Sequence, residues 1–329
     1  MQRFDKPAIT AEDQLRLLID RGLTVQDPER ALSFLQAVSF FRLTPYMRPF
    51  QVPSADHQFR DGARFLSLSR LYDFDRRLRL LVMDAIERIE VGVRAHICNY
   101  MGPKYGAHWY LERTLFSRSY DYDRLIQNIE NKQERAAKDY RKECSRVDKI
   151  KGLDATAKNL IKQSRMQESY ARHYQMTYEE PPLMPSWAMI EELTFGELSH
   201  LYKGLQRDLD KKTIAKQLGV NMPLLISWLH ALTAIRNVCA HHSRLWNREL
   251  GIKPAHPKDS NLSWPVYLRN DKLHTRVGVL LAIMQFFMKR LAPHASWSKR
   301  LVELFAYFPE VDLRPMGLQL DWEKDPFWS

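Results

Sequence analysis

From Leu66 to Met101 apolar side chains recur every three or four residues without a break, through Leu68, Leu71, Tyr72, Leu78, Leu81, Val82, Ala85, Ile86, Ile89, Val93 and Ile97. That spacing lines one face of a helix, which at 1.5 Å per residue would run for roughly 55 Å. Gly102-Pro103 is its expected stop. The opposite face alternates in sign through Asp73, Asp75, Arg76, Arg77, Arg79, Asp84, Glu87, Arg88, Glu90 and Arg94. For the most part these charges read as a solvated, salt-bridged surface, with Arg76, Arg77 and Arg79 as secondary candidates for phosphate contact.

The rest of the chain carries the same period. A Thr10 cap opens a helix with Leu15, Leu17, Leu18 and Ile19 that Gly22 stops, and Asp27-Pro28 opens another with Ala31, Leu32, Leu35 and Val38. Residues 42–53, rich in Pro and aromatics, read as an irregular connection. Thr194-Phe195-Gly196-Glu197 reads as a turn between two helices. Asn221-Met222-Pro223 caps a further helix, residues 256–265 form a loop, and helices are expected over 273–291 and 297–308. No segment sustains the period-two alternation of a strand. The expected fold is therefore all-α. Its expected parts are an N-terminal helical segment (1–62), a helical core (63–116 and 181–308), a basic helical insertion (117–180) and a C-terminal tail (309–329). With 45% hydrophobic residues among 329, a sizeable core can be buried.

Lys and Arg outnumber Asp and Glu by 50 to 39, and a surface with that excess attracts polyanions. The excess is densest between Lys132 and Arg165, with eleven cations against five acids. There the alternatives are a phosphate contact and a solvated helical hairpin broken near Gly152. Cys98, Cys144 and Cys239 form no paired framework and read as reduced thiols. The N-terminus lacks the apolar run of a signal peptide, and residues 277–288 are too short to span a bilayer. A cytoplasmic protein without a membrane segment is expected.

The helix opened by Pro223 is apolar through Leu224, Leu225, Trp228, Leu229, Leu232 and Ile235. It then turns densely polar, as Arg236-Asn237-Val238-Cys239-Ala240-His241-His242-Ser243-Arg244-Leu245-Trp246-Asn247-Arg248. Such a helix is expected to run from the core into a cleft. Asn237 and His241, four apart, share a face; Arg236, five before His241, is not stacked over it. A histidine that titrates near neutrality can move the proton of a ribose 2′-OH or of the departing 5′-oxygen. An arginine can hold the scissile phosphate by paired hydrogen bonds. Arg236 and His241 are thus the candidate catalytic pair; the attacking hydroxyl is the substrate's, so no metal or cofactor is required. His242, Arg244, Asn247 and Arg248 are the candidates for RNA or phosphate contact, and His242 also offers an alternative partner for Arg236. One Arg and one His are few for full acid–base catalysis, which points to a two-fold dimer that shares its site. A zinc site from Cys239, His241, His242 and His256 matches no regular ligand spacing. Cys239 reads as a packed thiol, and Trp187, Trp228 and Trp246 read as core anchors more readily than base-stacking platforms.

Arg-Asn-x-x-x-His, within IRNVCAHHSRLWNR, resembles the signature of HEPN ribonucleases, and the longer string resembles the abortive-infection (AbiD/AbiF-like) family. KPAIT, EDQLRLLIDRGL, FFRLTPYMRPF, LYDFDRRLRLLVMDAIERIEVGVRAHI and PSWAMIEELTFGELSHLYKGL agree with it in order, from Lys6 to Arg248. The resemblance implies a HEPN-like helical core, a phage-defence role and metal-independent endoribonuclease activity assigned to Arg236 and His241, with Asn237 as the polar residue that orients them. It further implies an RNA substrate and an antitoxin partner, RNA or protein, since a toxic nuclease must be restrained. A non-catalytic RNA-binding protein with a basic cleft is the alternative, and a toxin module acting on a host protein is a third.

Overall fold

The computed structural model describes residues 7–53, 56–258 and 262–328. Lys6 of the KPAIT block and residues 259–261 of the expected loop lie outside them. Among the described residues thirteen α-helices account for the architecture, and β-pairing is limited to three isolated bridges. The fold is all-α, as the periodicity predicts.

In chain order the helices are α1 (Ala11–Asp20), α2 (Pro28–Val38), α3 (Phe40–Met47), α4 (Phe65–Tyr105), α5 (Tyr122–Asp148), α6 (Ala155–Gln167) and α7 (Tyr170–Thr177). They continue as α8 (Ser186–Met189), α9 (Phe195–Gly204), α10 (Asp208–Gln217), α11 (Met222–Ala240), α12 (Val277–Leu291) and α13 (Trp297–Tyr307). Side chains fix many of the starts. Thr10, Asp27, Asp121, Asp154, Ser169 and Asn221 each accept a hydrogen bond from a backbone N–H of the first turn that would otherwise lack a partner.

The 41-residue α4 is the axis on which the fold is assembled; α3, α8, α9, α10, α11, α12 and α13 all pack against it. One helix so long offers a separate stretch of apolar surface to each neighbour. α12 is apolar almost all round and correspondingly buried from Val277 to Gln285. α5, α6 and α7 pack mainly on one another, yet Leu125, Ile129, Ala171 and Tyr174 join the same hydrophobic core as the rest. The turn between α5 and α6 contains Gly152 at φ +83°.

Four local expectations are corrected. α4 runs through Gly102-Pro103 and stops at Gly106, because a proline in the last turn removes only one helical bond. The 42–53 connection is instead mostly helical: α3 tolerates Pro45 because the carbonyl it leaves unpaired belongs to Phe41, an 88% exposed residue open to water. Thr194 to Glu197 is no turn between helices but the capping box that starts α9, in which Thr194 and Glu197 satisfy each other's backbone N–H. α12 begins at Val277, four residues later than expected, after a short 3-10 turn over Asp271–Leu273.

The loop ahead of α5 lies directly across the end of α9. Ser117 N–H donates to the Gly204 carbonyl at 2.8 Å and Gln206 N–H to the Leu115 carbonyl at 2.8 Å. A Cβ on Gly204 would fall 2.3 Å from the Tyr120 ring, itself stacked on Phe116. Gly204→Ala is therefore expected to lower stability by about 1–3 kcal/mol through overpacking; a urea midpoint equal to wild type would show that Tyr120 moves aside freely.

Candidate active site

The helix carrying the Arg-Asn-x-x-x-His string ends inside it. α11 is buried along Leu224, Leu225, Trp228, Leu229, Leu232 and Ile235 and closes at Ala240. Its first half is fixed by Trp228, whose indole N–H donates to the Ala255 carbonyl at 2.7 Å and whose ring stacks on Trp264 at 5.4 Å. His241 is the C-cap residue, with its N–H on the Asn237 carbonyl at 3.0 Å. His242 follows at φ +55°, in the left-handed region. Its N–H reaches the Cys239 carbonyl and that of Ser243 the Val238 carbonyl, each at 3.0 Å, which is the pattern of a Schellman stop. Glycine usually fills that position, and its absence here is why the sequence reads as a helix running on to Arg248. Arg244, Asn247 and Arg248 therefore lie on irregular chain, where helical four-residue spacing has no meaning.

Asp75 holds this irregular chain in place. Its carboxylate is fully buried and accepts the backbone N–H groups of Leu245 at 3.1 Å and Trp246 at 2.5 Å, the Tyr46 hydroxyl at 2.5 Å, and the Arg79 guanidinium. Arg79, 5% exposed, also donates to the Tyr46 oxygen at 3.0 Å. Burial pushes the Asp75 carboxyl up, against the pull of Arg79 and the three further donors. Burial likewise drives the Tyr46 hydroxyl well above the ordinary phenol range. The reading of α4's charges as a solvated face thus fails for Asp75 and Arg79. A signal was present: both fall in the three-four register of Leu71, Leu78 and Val82.

The remaining candidates separate into two groups. Arg236 is half-buried beside an ion network in which Arg94 pairs with Glu90, with Glu191 at 2.9 Å and with the Leu193 carbonyl at 2.8 Å. Burial pushes the Glu90 carboxyl up, with Arg94 and Arg236 pulling against it. The Arg236 guanidinium donates to Asn237 Oδ1 at 3.4 Å, its one side-chain hydrogen bond among the described residues. Arg236 and Asn237 are thus together. No hydrogen bond or ion pair among the described residues joins either side chain to the exposed His241.

On the other side lies a cluster of cations. Arg42 of α3 donates to the His242 carbonyl at 2.8 Å, and Arg244 to that of Pro45 at 3.3 Å. Arg248 donates to the Arg244 carbonyl at 3.3 Å. Burial lowers the Arg244 guanidinium from its ordinary range; Asp75 and Tyr46 oppose this, while Arg48 and Arg248 add to it. Arg42 and Arg48 were not singled out from the sequence, since nothing in a linear reading brings α3 to the end of α11. His242 is exposed and Asn247 half-buried, the latter also left-handed at φ +50°.

Cys239 is 3% exposed and burial pushes its thiol up to about 12, so it packs rather than reacts. Trp228 and Trp246 are core anchors, whereas Trp187 is 52% exposed. The metal-ligating side chains that converge among the described residues are His256, Asp271 and His274, not the Cys239 set. Lys253 Nζ already stands 3.9 Å from the same Asp271 oxygen that faces both imidazoles. No single helix among the described residues is long and apolar enough to cross a membrane.

A family model described as Abi-like protein matches residues 33–247, from the middle of α2 to the last residue but one of the polar string. The chain belongs to the Abi-like protein family. No curated protein and no solved structure matches it.

Two substitutions test the architecture of the site. Asp75→Ala strands Arg79 and two backbone donors, and should cost about 3–5 kcal/mol in urea unfolding. Faster hydrogen exchange at Leu245 and Trp246 should accompany it, and unchanged protection there would remove Asp75 from its anchoring role. His242→Gly relieves a left-handed residue and is expected to raise stability by up to about 1 kcal/mol; a loss in the thermal melt would mean that the imidazole itself holds the turn.

Proposed function

We propose that this Abi-like protein is an abortive-infection toxin of phage defence that cleaves RNA as a metal-independent endoribonuclease of the HEPN type. The observation that carries the reading is the end of α11. There Arg236, Asn237 and His241 stand where a buried helix emerges, and the chain that follows carries Arg244 and Arg248, with Arg42 on the His242 carbonyl and Arg48 near Arg244.

In the proposed reaction the ribose 2′-oxygen attacks the adjacent phosphorus. The O2′–P bond forms and the P–O5′ bond breaks, leaving a 2′,3′-cyclic phosphate and a 5′-hydroxyl. Histidine removes the 2′ proton and histidine returns one to the 5′-oxygen. Arg236 stabilises the charge that builds on the phosphoryl oxygens, with Asn237 fixing its guanidinium. The phosphate before and after the cut would rest on the cluster of Arg244 and Arg248, with His242 and Asn247 at its edge.

No hydrogen bond among the described residues joins the His241 side chain to Arg236, and this supports a homodimer in which each site draws on both copies. An antitoxin, RNA or protein, that covers the cationic end of α11 would restrain the enzyme.

The test is purified protein with RNA in excess EDTA. Wild type is expected to leave cyclic-phosphate ends, and Arg236→Ala or His241→Ala to lose about 100-fold or more in rate. Adding excess His241→Ala protein to wild type should suppress cleavage, because a mixed dimer holds one His241 for the two proton transfers. Equal cleavage by wild type and variants would falsify the assignment. RNA binding without cleavage by any of them would leave a non-catalytic RNA-binding protein.

A further inference from the structure

A second basic feature lies away from the end of α11. Between α2, the start of α4 and the end of α13 runs an open groove of about 790 Å³, within the size range of ligand sites. Five arginines line it against two aspartates, and the two acids are already engaged. Asp27 caps α2 and Asp73 pairs with Arg77 at 2.9 Å.

The arginines differ in kind. Arg70 is tied to Glu310 and to the Tyr307 carbonyl at 3.2 Å, and both Arg70 and Arg77 lie over the Tyr307 and Phe308 rings at 4.9–5.7 Å. They form a fixed wall. Arg30, Arg64 and Arg76 are exposed, and no side-chain partner engages them among the described residues. Three guanidiniums that share one concave surface without counter-charges repel one another and favour an anion between them.

The spacing says what kind of anion. Arg64 immediately precedes α4 and Arg76 lies three turns along it, about 17 Å away by helical rise. One phosphate cannot reach both, whereas a chain of phosphates can. Phe34 and Tyr72, edge to face at 5.7 Å, are partly exposed in the same groove and offer aromatic surface of the sort on which unpaired bases stack. Carboxylates strung on a peptide would match the charges but leave those rings without a partner.

The groove is also close to the candidate active site. Tyr72 meets Tyr46 of α3 at 5.4 Å, and α3 sends Arg42 to the His242 carbonyl. α3 thus touches both surfaces, and a helix is about 10 Å across.

We propose that this groove is a binding channel for single-stranded RNA, holding a stretch of the strand whose continuation passes α3 to reach the end of α11. The channel rests on the ribonuclease reading for what happens to the strand, but not for the binding itself.

The full chain carrying His241→Ala, so that the probe stays uncut, is titrated into fluorescein-labelled single-stranded RNA and read by anisotropy across a salt series, while wild type is assayed separately for cleavage. The triple variant Arg30→Ser, Arg64→Ser, Arg76→Ser is expected to bind on the order of tenfold more weakly, with a slope of log K against log salt shallower by about 2. Should the triple variant unfold, RNA carrying 4-thiouridine is photocrosslinked to wild type, and crosslinks are expected at Phe34 or Tyr72. An unchanged affinity and slope in a folded variant, crosslinks confined to the end of α11, or equal displacement of RNA by poly-glutamate would each overturn the channel. Groove-dependent binding without any cleavage would sink the ribonuclease reading and leave the channel standing.

Discussion

A single buried carboxylate organises the end of α11, where the candidate active site lies. Asp75 belongs to α4, Tyr46 to α3, and Leu245 and Trp246 to the chain beyond α11; its oxygens are where the three meet. Burying a charge costs several kcal/mol unless donors replace the lost water, and Asp75 has two backbone N–H groups, a hydroxyl and a guanidinium. With Arg42 on the His242 carbonyl and Arg244 on that of Pro45, Asp75 fixes the irregular chain from His242 to Arg248. That chain has few internal backbone bonds and two non-glycine residues in the left-handed region.

Rigid support sits below and exposed polar groups above. Ile235, Cys239, Leu245 and Trp246 are all buried, whereas Asn237, His241 and His242 are exposed. Reactive groups carried at the rim of a fixed scaffold are a common arrangement in binding and catalytic loops. Strain at His242 fits the same arrangement. A residue is kept where glycine would be easier, at the point where the chain leaves the helix.

The fold class was legible because hydrophobic periodicity reports burial directly, and α4 repeats its period for most of 41 residues. Helix starts were legible for a similar reason: Thr10, Asp27 and Asn221 act locally, each through a backbone N–H three residues away. The end of α11 was not, since a left-handed histidine carries no mark that distinguishes it from one more helical residue. Nor was the position of α3, because Pro45 reads as a breaker until its lost acceptor proves to be solvent-facing. The candidate site was half legible. Arg236, Asn237 and His241 stand out by chemistry, but Arg42 meets the neighbouring His242 carbonyl only through packing across 200 residues of chain. Asp75 and Arg79 were hidden in plain sight. A polar pair in an apolar register looks like an interruption of the stripe, and only tertiary partners turn it into a hub.

The distance in sequence between Asp75 and its backbone donors has a further meaning for a chain emerging from a ribosome. The acceptor precedes Leu245 by 170 residues. At about 5–20 residues per second, that separation is roughly 10–30 s of synthesis. Throughout that interval α4 and α3 exist as polymer without the strand that Asp75 is to anchor, and the carboxylate stays hydrated. The ordered form of the polar segment is therefore among the last things a newborn copy acquires. Truncated copies that end before Leu245 never acquire it. Premature termination would then yield fragments in which this surface is unformed, so the order of translation itself sets when the surface can form.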